Sequence, residues 1–219
     1  MFVITADQID SRHSPDMVGD TVAHLDTRFG ESLALPADRN AGDELQALAT
    51  DATAAIAIVL DLTRSGTWSV GLGTGDVELP LAKATREGRG PAFIMAREAV
   101  TAAKKSPLRF ALRAATNRTD LSASDVEAMI LLLLAVRDRR TDQGWQVYDL
   151  LEAGHTQRAA ASALGITPQA VSDRMSVAQV RIDLEAQAPL ARVLAGLDEA
   201  SGDASTPTPT RESKGSTTR

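Results

Sequence analysis

The chain of 219 residues contains no cysteine. That removes disulfides, thiolate nucleophiles and Cys-ligated metals, and it fits a reducing compartment. Aromatic residues make up only 3 %, so an aromatic-rich core is excluded and alanine fills much of the space. Trp68 and Trp145 read as isolated core anchors. The three histidines, His13, His24 and His155, have no ligand spacing between them, which argues against a histidine metal centre. Long apolar runs are missing as well. Ile130 to Val136 is far too short to span a bilayer. Asp7 and Asp10 interrupt the apolar start at once, so no signal peptide is expected, and a cytoplasmic protein without a membrane partner is the expectation.

What remains is 43 % hydrophobic residues, enough for one good core and a smaller one, and a net charge of −6. The sign argues against a general nucleic-acid glue. Acids crowd the first eighty residues, with Asp7, Asp10, Asp16, Asp20, Asp26, Asp38 and Asp43 among them. The balance turns basic from Arg86 through Arg97, Lys104, Arg109 and Arg113 to Arg118. Arg137-Asp-Arg-Arg140 reads as a solvated helix end, where cations favour the C-terminal dipole.

Periodicity predicts strands over Met1–Ala6, Leu33–Ala37, Glu44–Leu48 and Thr67–Gly73, with a further short strand at Asp76–Leu79 and a closing one at Leu108–Ala114. Helices are predicted over Ser14–Phe29, Asp51–Arg64, Pro91–Lys105, Ser124–Asp138 and Gln143–Glu152. A last helix over Ile182–Glu199, interrupted at Pro189, is a candidate for dimerisation. The order predicts an α+β protein: an α/β sandwich with an antiparallel sheet, of the ferredoxin-like group, over residues 1–118, then an all-α unit over 119–200. Residues 201–219 are rich in Ser, Thr and Pro and predict a disordered tail.

The stretch from Gln157 to Met175 reads as a helix-turn-helix. Ala160 and Ala161 let two helices cross closely, Gly165 supplies a positive φ, Ile166 plugs the corner, and Thr167 with Pro168 opens the second helix. Val171 and Met175, four apart, share the buried face. Thr167, Gln169, Ser172, Asp173, Arg174 and Ser176 are left as the DNA-contacting candidates, because amides, hydroxyls and guanidinium read base edges or hold phosphates. The spacing resembles sigma-factor region 4 and LuxR-type regulators. Arg158, Arg174 and Arg181 are outnumbered by Asp142, Asp149, Glu152, Asp173, Asp183 and Glu185, so phosphate affinity is weak unless two copies bind as a homodimer.

In the first unit, Asp7 follows strand one and Asp43 sits in the next hairpin turn. Central pairing of those strands would bring both carboxylates to one sheet edge, where, with the Gln8 carbonyl, they would suit Mg²⁺ or Mn²⁺ and a polyphosphate. The same two residues also read as ordinary turn residues. Phe2-Val-Ile-Thr-Ala-Asp-Gln-Ile-Asp-Ser-Arg12, Gly42-Asp-Glu-Leu-Gln46, Gly71-Leu-Gly-Thr-Gly75 and Gly90-Pro-Ala-Phe-Ile-Met-Ala-Arg97-Glu98 resemble, in order and spacing, the SatD family over about residues 1–115. That family in turn resembles the palm of class III nucleotidyl cyclases and GGDEF proteins. The resemblance implies Asp7 and Asp43 as metal ligands, and Gln8, Gly42, Glu44, Gly73 and Arg97 around a nucleotide. One departure stands out: Phe93 occupies the place of a catalytic Asn, and a phenyl ring cannot donate to developing charge. The implication is a nucleotide cleft more than turnover.

Together these features point to a DNA-binding transcriptional regulator whose cyclase-like domain senses a nucleotide or second messenger. A metal-dependent nucleotidyl cyclase or transferase, and a protein-binding adaptor, are the alternatives.

Overall fold

The computed structural model describes residues 1–115 and 121–203, with side chains up to residue 198. The elements are β1 (Phe2–Gln8), α1 (Val18–Phe29), β2 (Leu33–Ala41), β3 (Glu44–Ala49), α2 (Ala52–Arg64), β4 (Trp68–Thr74), α3 (Pro91–Ala103), β5 (Phe110–Ala114), α4 (Ala123–Asp138), α5 (Asp142–Glu152), α6 (Gln157–Leu164), α7 (Pro168–Val177) and α8 (Val180–Asp203). The protein is α+β, with an N-terminal sheet followed by C-terminal helices.

The sheet runs β2-β3-β1-β4-β5. β1 lies antiparallel between β3 and β4, pairing Asp7 with Glu44 on one side and with Ser69 on the other. The sheet is mixed rather than antiparallel, because β5 is parallel to β4. α3 is a crossover between those two strands, and a crossover returns the chain in the same direction. Nor is Asp76–Leu79 a strand. Its backbone is spent on the start of α3: the Asp76 carbonyl accepts from the Ala92 N–H at 3.1 Å, and the Glu78 N–H donates to the Arg89 carbonyl at 2.9 Å.

Strand alternation divides the core. Phe2, Ile4, Leu45, Ala47, Trp68, Val70, Leu72, Phe110 and Leu112 face α1 and α2. Val3 and Leu48 face α3, under Ala92, Phe93 and Ala96. The larger core does not stop at residue 118. Val126, Ile130, Leu133 and Leu134 of α4, and Leu190, Ala191, Leu194 and Leu197 of α8, belong to it. α8 is unbroken at Pro189, whose ring is exposed. Packing holds both halves of the helix, at Asp183 on one side of the proline and at Leu190 and Leu194 on the other, so the lost N–H does not end it. Its 24 residues extend for about 36 Å, and near the far end Asp198 accepts from the Thr74 hydroxyl at 2.5 Å. The apolar side of α8 is therefore used within the chain. Of the predicted tail, residues 201–203 form the last turn of α8, and 204–219 lie outside the described residues.

The two ends of the molecule are joined by an ionic cluster. Arg137 and Arg140 are not solvated; they are 6 % and 7 % exposed, around a fully buried Asp183. Asp183 Oδ2 accepts from Arg137 Nη1 at 2.6 Å and lies 2.9 Å from Arg140 Nη2, while Oδ1 accepts from Gln187 at 3.0 Å. Arg137 also donates to the Leu60 carbonyl at 3.3 Å, and Arg140 Nε to the Ala178 carbonyl at 3.1 Å. Two cations against one anion leave a surplus of positive charge. The ring faces of Trp145 and Tyr148 take it up, with guanidinium-to-centroid distances of 4.4–5.0 Å. Burial lowers the Arg140 pKa and raises that of Tyr148. Trp145 is half-buried, a lid over arginines and not a core anchor as Trp68 is.

Asp183→Ala leaves two buried guanidiniums uncompensated, so a loss of about 3–5 kcal/mol is expected in chemical denaturation. Asp149→Ala, which removes only the partner of the partly exposed Arg64, is expected to cost no more than ~1 kcal/mol.

Candidate functional site

Two surfaces collect the residues singled out by sequence. The first is the corner at the end of β1. On the α3 side of the sheet the residues change in register from apolar Val3 and Leu48, through buried polar Thr5 and Gln46, to Asp7 and Glu44. Gln46 Nε2 donates to the Thr5 hydroxyl at 3.3 Å, which satisfies the pair under α3. Asp7 and Glu44 are half-buried at the open edge. Asp43 lies in the two-residue turn beside them, with Gly42 at φ 55°, a conformation glycine adopts without strain. The Asp43 carbonyl accepts from the Gln8 N–H at 3.0 Å, so backbone pairing fixes the turn against β1.

A cation from within the chain already serves this corner. Lys104, just beyond α3, donates to Asp7 Oδ2 at 2.6 Å. The Asp43 carboxylate accepts from the Ser11 hydroxyl and feels Lys104 and Arg12, and its pKa is lowered, first by the Ser11 hydrogen bond. Glu44 accepts from Asn40. Among the described residues, no group of three or more His, Cys, Asp or Glu side chains comes together to hold a metal ion. Asp7 and Asp43 thus meet at one corner, but a metal there would have to displace an ammonium.

The other sequence candidates divide. The Gln8 side chain is spent internally: Nε2 donates to the Ser14 hydroxyl at 2.9 Å and the Pro15 carbonyl at 2.7 Å, and Oε1 accepts from the Met17 N–H at 3.0 Å. It shapes the loop before α1, leaving only backbone groups for a ligand. Gly73 is buried against α3, and a Cβ there would lie 2.3 Å from the Ala96 nitrogen. Its lack of a side chain brings the helix onto the strand; it does not open space for phosphate. Phe93 is packed into the apolar cluster under α3, with its ring over Gly88. Arg97 is exposed on α3, about two helical turns before Lys104. Thr5, Ser11, Gln46, Ser69 and Lys104 complete the corner. Sequence spacing did not reveal them, since only strand register and the closing end of α3 bring them there.

The second surface is α7. Three successive helices begin at threonine caps: Thr141, Thr156 and Thr167 accept from the backbone N–H groups of Gly144, Ala159 and Ala170. Gly165 at φ 65° ends α6, and the Ile166 N–H returns to the Ala161 carbonyl at 3.0 Å. Val147, Ala160, Ala161 and Val171 form the small core that holds α7 on α5 and α6. Outward, Thr167, Gln169, Ser172, Asp173 and Ser176 are exposed and Arg174 is half-exposed. Gln169 donates to Asp173 at 2.9 Å across one turn. The basic stretch offers less to a polyanion than its composition implied, because Arg86, Lys104 and Arg113 are paired with Asp38, Asp7 and Glu127. Arg118 lies outside the described residues.

No family model, curated protein or solved structure matches the chain. Among the described residues, no helix is long and apolar enough to cross a membrane.

The lowered pKa of Asp43 has a testable sign. A carboxylate held below its ordinary value of about 3.9 adds stability that is present above that pH and lost as the pH falls through the lowered value. Titration of the Asp43 carboxyl carbon by NMR is expected to give a midpoint below the ordinary range, and Ser11→Ala is expected to move it up.

Proposed function

We propose that this protein is a DNA-binding regulator in which α6 and α7 act as a helix-turn-helix and the sheet unit, ferredoxin-like and palm-like in kind, senses a nucleotide-type ligand. The observation that carries this reading is the polar outer face of α7, Gln169-Ser172-Asp173-Ser176, presented on a small apolar core of its own. A helix of that polarity, anchored only from behind, matches the size and chemistry of the major groove. Arg158 and Arg174 supply the phosphate contacts, and Gln169 leaves Asp173 to reach a base edge.

The sensing half of the proposal rests on the β1 corner. There Asp7 and Asp43, with the Gln8 carbonyl, would offer hard oxygen ligands for Mg²⁺ or Mn²⁺, which would replace Lys104 and bring a polyphosphate with it, beside Glu44. The released ammonium would then be free to bind phosphate. A physical route to α7 exists on the same end of the sheet. The Ile9 N–H, two residues from Asp7, donates to the Thr67 carbonyl at 2.8 Å. Ser65 and Gly66, next to Thr67, line a cavity of about 280 Å³ with Arg64, Arg137, Arg140 and Trp145, the residues that seat α5. A ligand that shifts β1 would therefore press on the support of the DNA-reading helices. The enzyme reading draws on the same acidic corner; the burial of Phe93 in an apolar cluster favours binding without turnover.

Selection from a random duplex pool at moderate salt is expected to enrich one motif. Gln169→Ala is expected to weaken binding to it by about tenfold, on the order of 1–3 kcal/mol for a good base contact, and Arg174→Ala to weaken binding to all sequences alike and to lessen its salt dependence. A pool that stays unenriched would end the regulator reading. For the sensing half, Mn²⁺ affinity, read from paramagnetic relaxation, is expected to rise in Lys104→Ala and to disappear in Asp43→Ala. A Mn²⁺ affinity unchanged in both variants would remove the metal from the proposal.

A further inference from the structure

α4 is apolar on two sides. Its inner side, Val126, Ile130, Leu133 and Leu134, lies in the main core. The opposite flank carries Asp125, Ala128, Met129, Leu132, Val136 and Arg139 at helical spacing. On it Leu132 is 71 % exposed and Met129 42 % exposed. A helix that is hydrophobic around most of its circumference is one that is buried around most of it. Nothing elsewhere in this chain is suited to cover the flank: residues 116–120 and 204–219 hold no large apolar side chain.

We propose that the flank is closed by α4 of a second copy of this chain, antiparallel about a two-fold axis at Leu132. The stripe is self-complementary in that one arrangement. Asp125 and Arg139 stand at equal distances along the chain on either side of Leu132. Antiparallel pairing therefore sets each Asp125 against the other copy's Arg139, twice per dimer, as a two-fold interface requires. Met129 and Val136 then meet small or matching apolar neighbours, and Leu132 meets its own symmetry mate. Parallel pairing would set like charge against like at both ends. The helix dipoles add in the same sense, since the N-terminal turn of each α4 faces the C-terminal turn of its mate. Asp138, the other acid at this end, does not compete, because it lines the cavity with Arg64 and Trp145 on another side of the helix. α8 does not supply the interface, as its apolar side is already packed on α2 and α4.

The proposal deepens the regulator reading by naming the surface that pairs two DNA-reading helices, yet its test involves no DNA, so either can fail alone. The absence of cysteine makes cross-linking clean. At a two-fold contact between helices roughly 8–10 Å apart, the side chains at position 132 come within disulfide reach. Leu132→Cys is expected to run as a covalent dimer on a non-reducing gel and to revert with reductant. Val177→Cys, at a position 83 % exposed but off the stripe, is expected to stay monomeric. In sedimentation the native chain is expected at twice the 23.1 kDa of one chain, and Leu132→Glu at one chain with unchanged circular dichroism. Arg139→Asp is expected to weaken association at least tenfold, since it sets acid against acid twice per dimer; Asp125 is kept, because its carboxylate also accepts from the Ser122 N–H at 3.0 Å in the capping box of α4. A monomeric native chain, a Leu132→Glu dimer, or equal cross-linking at positions 132 and 177 would each overturn the proposal.

Discussion

The buried charge of Asp183 is the constraint on which the rest of this structure depends. It lies at the start of α8 and holds Arg137 and Arg140 at the end of α4, and through their planar groups it seats Trp145 and Tyr148 of α5. Arg137 of α4, Arg140 just beyond it, and Trp145 and Tyr148 of α5 thus gather around one carboxylate with no access to water. Burial of a charge costs several kcal/mol unless its partners are well placed. That penalty makes the cluster directional: Asp183 is compensated only where the ends of α4 and α8 bring Arg137 and Arg140 against it, and the surplus positive charge rests on the faces of Trp145 and Tyr148. Apolar contacts alone would tolerate sliding; this cluster does not.

Around that pin α5, which helps to seat α7, is joined to α1 and α2 by partly exposed ion pairs. Arg64 binds Asp149 through two hydrogen bonds of 2.6 and 2.8 Å, and Arg28 bridges Asp61 and Glu152. Such pairs are individually weak and screened by salt. The β1 corner and the cavity beside Trp145 lie at the same end of the sheet, where the Ile9 N–H donates to the Thr67 carbonyl and Ser65 and Gly66 line the cavity.

Local chemistry carried much of this into the sequence. The helix cap at Thr167, the left-handed Gly165 and the small residues at Ala160 and Ala161 are short-range features, and the two helices they bound are found where the pattern placed them, within two residues. The acidic corner was visible in part, because Asp7 closes the first strand and Asp43 marks the turn of the β2–β3 hairpin; the β1–β3 pairing that joins them is tertiary. What opposed the carboxylates was not visible. Lys104 is distant in sequence and arrives only because Gly71 and Gly73 let α3 lie directly on β4. The parallel placement of β5 was also missed, since it depends on β5 returning through the α3 crossover to pair with β4 itself, which no local pattern encodes.

Sequence by itself determined the kinds of most elements, the borders of those with clear caps, the lack of cysteine chemistry, and the polar outer face of α7, because caps, periodicity and composition act over a turn or two of chain. Only the tertiary structure decided which charges are buried. Arg137 to Arg140 has the composition of a solvated helix end, and Asp183 that of a surface acid. They become the interior of the molecule because α8 continues through Pro189 to reach the sheet and carries Asp183 beneath α4 on the way. Burial is a property of where three helices cross, and no local pattern in any one of them encodes it.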